Sequence, residues 1–233
     1  MVPTKEMKEL RAFHNKPELK EAMIEELKWH QEQDKIIQGT YGTEYENGDF
    51  KGCAVGCSIH SLKRRYGKED LSTGDHKVYE TELGIPEALA YLEDTIFEHL
   101  SVEESKRFPL DFITAVPVGA DLSLVPSKFI YRTLSDLLEI KEVKDDDAVF
   151  KVVSETAQLW QDVINGKVVK EAARSAAWSA AESAAESAAR SAAESAAESA
   201  AESAAWSAAR SAARSAAYTK FADILLELLR EAK

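Results

Sequence analysis

Arg174-Ser175-Ala176-Ala177-Trp178-Ser179-Ala180-Ala181 opens an array in which the word X-Ser-Ala-Ala recurs eleven times, without an error, to Ala217. The X positions are Arg174, Trp178, Glu182, Glu186, Arg190, Glu194, Glu198, Glu202, Trp206, Arg210 and Arg214. Alanine is the strongest helix former, so the array reads as helix. Four residues turn the helix by 400°, so each position of the word drifts by about 40° per repeat and no single face is kept. A straight partner helix would lose the small-residue stripe within two or three words. A long two-stranded coiled coil is therefore disfavoured, and contacts must come from several directions, from breaks, or hardly at all. Trp178 and Trp206, the only large apolar residues of the array, point about 80° apart and read as separate local anchors.

Outward from the array, the chain continues without Gly or Pro from Gly166 to its last residue, Lys233. An unbroken helix of that length would measure roughly 100 Å. Its end carries Phe221, Ile224, Leu225, Leu228 and Leu229 at helical spacing and must pack on something. Asn165-Gly166 is the expected boundary between a helical globular domain, 1–165, and a repeat helix, 166–233. The fold class is all-α.

The first domain reads as a series of helices. They cover residues 4–13, a segment begun by Asn15-Lys16-Pro17 and closed by Gly39, and residues 53–66 ending at Gly67. Others begin at Pro86, at the Ser101–Glu104 capping box, at Pro126 and at the acidic run Asp145–Asp147. Residues 38–52 form a Gly- and Tyr-rich loop with an Asn47-Gly48 turn, and residues 76–81 suggest a short extended piece.

The net charge of −12 argues against a nucleic-acid partner and an anionic membrane surface. No apolar run is long enough to cross a bilayer, and residues 1–6 lack the apolar region of a signal peptide. Cys53 and Cys57 are the only cysteines and do not make a disulfide framework, so the expected compartment is a reducing cytoplasm.

Cys53, Cys57 and His60 stand at i, i+4 and i+7, one face of a helix. Three readings are open. The face is a buried seam of small residues. It is a soft metal site completed by His76 or a carboxylate, at a spacing uncommon for zinc. Or Cys53, at a helix start, is a thiol nucleophile with His60 or His76 as base and Asn47, Asp49 or Glu80 as orienter. The loop residues Tyr41, Tyr45, Asn47 and Asp49 suit adaptable recognition of a ligand or partner. His14, His30 and His99 sit in amphipathic segments and read as structural.

Lys51-Gly52-Cys53-Ala54-Val55-Gly56-Cys57, followed by the tandem Ser-Ala-Ala-X array, resembles a group of uncharacterised phage and metagenome-type proteins. The resemblance rests on residues 51–60 and 174–217 and implies no activity and no site. It makes interference with, or assembly beside, host machinery an expectation by analogy.

These observations lead to a non-enzymatic interaction or assembly protein that pairs with a protein partner or with itself and needs no cofactor. The repeat serves as packing or spacer element, and Trp178, Trp206, Leu225, Leu228 and Leu229 serve as anchors. A small thiol- or metal-dependent enzyme centred on Cys53, His60 and His76 is the alternative. Ice binding is a third, opposed by the drifting face.

Overall fold

A computed structural model describes residues 9–45, 49–167 and 203–233. These residues are mostly helical. The helices are α1 (Pro17–Glu32), α2 (Ala54–Tyr66), α3 (Glu87–His99), α4 (Val102–Ala115), α5 (Val125–Leu137), α6 (Lys141–Lys144), α7 (Asp147–Ile164) and α8 (Ser203–Glu231). A 3-10 turn at Ala12–Asn15 and a π-helical turn at Tyr79–Leu83 join them. The one described sheet pairs β1 (Thr43–Glu44) with β2 (Phe50–Lys51), antiparallel, Thr43 opposite Lys51 and Glu44 opposite Phe50. No helix among the described residues is long and apolar enough to cross a membrane.

The chain divides into two compact units. The first is Met1–Phe97, Ser105–Ser123 and Leu229–Lys233; the second is Glu98–Glu104 and Leu124–Leu228. This division differs from the boundary expected at Gly166, because α5, α7 and most of α8 fall in one unit.

In the first unit, α1 packs on α2. Pro17 sits in the first turn of α1, where its missing N–H costs nothing, and Ala22, Met23, Leu27 and His30 face inward. α2 begins at Cys53, whose extended backbone and side-chain acceptor form the N-cap, and ends at Gly67 in the left-handed region (φ 65°). Along it Ala54, Val55, Cys57, Ile59 and Leu62 are buried. The helix expected over 4–13 does not extend through its described part. Ala12 gives its N–H to Ala120 O (3.1 Å) and its carbonyl to Gly119 N–H (2.8 Å), so its backbone groups are used outside any helix. Phe13, His14 and Asn15 then turn with positive φ. The segment 76–81, expected as extended, is helical and runs into the π turn. It buries Val78 and Tyr79 completely enough that their β preference is overridden by packing. The start of α4, which belongs to the second unit, is capped by Ser101 as its spacing requires: Ser101 Oγ accepts the Glu104 N–H (3.3 Å), and Glu104 reaches back to the Ser101 N–H (3.3 Å).

In the second unit, α5 and α7 lie side by side, burying Phe129, Ile130, Leu134 and Leu137 on one helix and Val153, Ala157 and Trp160 on the other. Asp146 caps α7, accepting the N–H groups of Ala148 (3.0 Å) and Val149 (3.1 Å). α8 takes in the last three words of the array and then the apolar end. Phe221 meets Phe129 edge-on at 6.1 Å, and Arg132 pairs with Glu227 at 2.8 Å. Arg214, the last X residue, donates to His99 Nε2 (2.8 Å), and Tyr218 stacks on the His99 ring at 4.2 Å. The array up to Glu202, with Trp178, and the Trp206 side chain lie outside the described residues.

Candidate functional site

Cys53, Cys57, His60, Ser61 and Arg64 do share one face of α2, as the spacing requires. Different elements meet the two ends of that face, and they divide it into two clusters.

At the start of the helix, Gly52 is held from both sides: its N–H donates to Lys35 O (3.0 Å) and its carbonyl accepts Ile37 N–H (2.9 Å). Cys53 N–H donates to Thr40 O (2.8 Å). The loop backbone at Tyr41 lies so close to α2 that a Cβ on Gly56 would come within 1.6 Å of Tyr41 O. Cys53 Sγ accepts the Gly56 N–H (3.4 Å), and Cys57 donates to Gly52 O (3.3 Å). Both thiols are free and buried. The Cys53 thiol faces the Asp94 carboxylate of α3. The other side of that carboxylate receives His76, whose Nε2 is 3.3 Å from Asp94 Oδ2. His76 is itself buried, stacked on Tyr91 (4.0 Å between ring centres) and met edge-on by Tyr41 (5.6 Å).

Deeper in, the Tyr79 hydroxyl lies beside the Glu93 carboxyl and the Ser58 hydroxyl, all fully buried. None of these groups closes a well-formed hydrogen bond, and Asp94 Oδ1 is likewise unpaired. Burial holds the Glu93 carboxyl well above the ordinary carboxylate range, and the Tyr79 hydroxyl well above its own. The Cys53 thiol is pushed up by burial and then by the Asp94 charge. The Cys57 thiol is pushed up by burial and by nearby Glu93. A helix N-terminus favours a thiolate, but here desolvation and a neighbouring anion outweigh it. Neither thiol is therefore an activated nucleophile.

At the far end of the same face, His60 Nδ1 meets His30 Nε2 at 2.9 Å, and His30 Nδ1 lies 2.8 Å from Glu26 O. A carbonyl only accepts, so His30 carries its proton on Nδ1 and accepts from His60 through Nε2. Phe50 stacks on His60 at 3.9 Å. Arg64 covers Trp29 (3.7 Å) and pairs with Glu26 (2.8 Å). Burial pushes His30 down to about 4 and also lowers His60.

The proposed catalytic residues are thus not gathered. Cys53 and His76 share Asp94, while His60 belongs to His30. Cys57 points at backbone carbonyls. Glu80 accepts, at 3.5 Å, from the Glu87 N–H at the start of α3, away from the thiols. In the loop, Tyr41 and Tyr45 are 48% and 46% exposed, and Tyr45 N–H closes the hairpin on Asp49 O (2.7 Å). Asp49 is engaged in an ion pair with Lys35, which lowers its pKa. Asn47 lies outside the described residues. Leu225, Leu228 and Leu229 are buried within the chain and are core rather than exposed anchors.

Sequence reading passed over Glu93, Asp94, Tyr79 and Tyr91. One signal was present: Glu93 falls between Leu89 and Phe97 at i, i+4 and i+8, a charged residue on the apolar face of α3.

The second unit holds a different feature. Val149, Val152, Leu159 and Val163 lie within an arc of about 80° on α7, beside the arc that packs on α5. Val149 is 42% exposed, Val152 is 54% exposed, and Leu159 and Val163 are half-buried. The apolar face of α7 is therefore wider than the surface that α5 covers. No protein-family model, no curated protein and no solved structure matches this chain.

Proposed function

We propose that this chain is a non-enzymatic interaction protein that associates with itself through α7, the Ser-Ala-Ala array acting as a packing or spacer element. The observation that carries the reading is the uncovered apolar margin of α7, formed by Val149, Val152, Leu159 and Val163. Exposed contiguous apolar residues rimmed by charge mark interaction surfaces. Lys151 and Glu155 supply that rim, with an exposed ion pair of their own at 4.0 Å. The buried state of Cys53 and Cys57 supports the same reading, because burial raises both thiols and leaves them without the ionisation a nucleophile needs.

The test is sedimentation velocity of the full chain over a wide concentration range, with Val152→Glu as the variant. Self-association that rises with concentration and is lost in the variant is the expected result. A wild-type chain that stays monomeric throughout overturns the proposal.

A further inference from the structure

We infer that the partner on α7 is a second copy of the same helix running antiparallel about a two-fold axis midway between Val152 and Leu159. The inference rests on the self-association proposed above and assigns its geometry. Its ground is the order of side chains along the uncovered margin. Reading α7 against a reversed copy of itself, Val149 falls opposite Val163 and Val152 opposite Leu159. This register uses the whole margin on both copies.

The charges beside the margin fit the same register. Lys151 and Asp162 lie on one flank of α7, and in the antiparallel pair Lys151 of each copy meets Asp162 of the other. Glu155 meets Gln158 of the second copy, and the acidic turn Asp145–Asp147 meets its Lys167. Within one chain Lys151 pairs with Glu155 at 4.0 Å, and the half-buried Asp162 accepts from Lys167 at 2.7 Å and from Gln158 at 3.0 Å. The exposed Lys151–Glu155 pair is worth little and is readily exchanged for a pair across an interface. A two-fold axis also places the same patch on both partners, which a single self-complementary helix satisfies. Four apolar side chains per copy make a small interface of the transient kind, so the dimer dissociates on dilution.

The experiment uses the full-length chain with two charge reversals, Lys151→Glu and Asp162→Lys, each checked for wild-type helicity and melting before use. Alone, each variant places two like-charge contacts in its own dimer, and its association weakens by roughly tenfold. Mixed in equal amounts, the two variants restore opposite charges at both contacts, and a heterodimer forms with near-wild-type affinity. A heterodimer no tighter than either variant alone overturns the antiparallel register. If Val152→Glu abolishes association while both charge variants and their mixture behave as wild type, self-association stands and the register falls. A monomeric wild-type chain removes both.

Discussion

The two ends of one face of α2 make a controlled comparison. The Cys53–Cys57 end gathers acids: two thiols, the Tyr79 phenol and the Glu93 carboxyl. The His30–His60 end gathers bases, and its hydrogen bonds are closed. Burial acts on both ends in the same sense, disfavouring charge, and so moves their pKa values in opposite directions. The acids of one end are held toward their protonated forms, and the imidazoles of the other toward their neutral forms. What differs is satisfaction: both ring nitrogens of His30 are paired, while Glu93, Tyr79, Ser58 and Asp94 retain unpaired atoms. Buried polar groups are normally hydrogen-bonded, so the acid end is the costlier of the two.

The strongest way to break the comparison is Gly56→Ala. The new Cβ would collide with the Tyr41 backbone, which cannot swing aside as a side chain can. The loop carrying Tyr41 would have to leave α2, and with it the edge contact on His76. The expected loss is about 3 kcal/mol or more, the upper range for overpacking, read by urea unfolding. A variant as stable as wild type would mean that the acid end does not depend on this close approach.

How much of this was legible in the sequence follows the same division. α2 itself was readable, because Gly52-Cys53 and Gly67 punctuate it and its i, i+4, i+7 face is local. What meets the face was not. Nothing near residue 53 signals Asp94, which arrives through tertiary packing of α3, and nothing near His60 signals His30. Spacing along a helix places side chains on a face, but whether they converge depends on what packs there. The same limit explains residues 76–81, where Val78 and Tyr79 suggest a strand and burial in the core makes a helical turn. The array's wheel arithmetic stays a statement about sequence, apart from the last three words, which α8 carries as helix.

The base end is tested through its pH dependence. His30 is lowered to about 4 from an ordinary 6.5, so between those values the unfolded chain binds more protons than the folded one. Stability from this group is complete above about 6.5 and declines as the pH falls toward 4. The full decline is at most about 3 kcal/mol, from 1.36 kcal/mol per unit. His30→Phe keeps an aromatic ring beside Trp29 and Phe50 and removes the titration. It is less stable than wild type at neutral pH, and the gap narrows as the pH falls to 4. A gap constant with pH would show that His30 is not the group held neutral.

The acid end has the opposite sign and the smaller expected effect. Glu93 is raised above its ordinary 4.5, so above that pH the folded chain holds a proton that the unfolded chain has released. Its contribution is fully present below 4.5 and is lost as pH rises toward the folded-state value. Between about 4.5 and 6.5 the two ends therefore oppose each other, and the wild-type curve conceals both. Glu93→Gln keeps the shape, stays neutral, and removes only the falling branch. Relative to wild type it gains stability as the pH is raised from 5 to 8, measured by urea unfolding across that range. In this variant the rising branch from His30 stands alone and steeper below 6.5. If the two curves run parallel, Glu93 is ionised in the folded chain, and the unpaired atoms around it are then those of a buried charge rather than of a neutral acid.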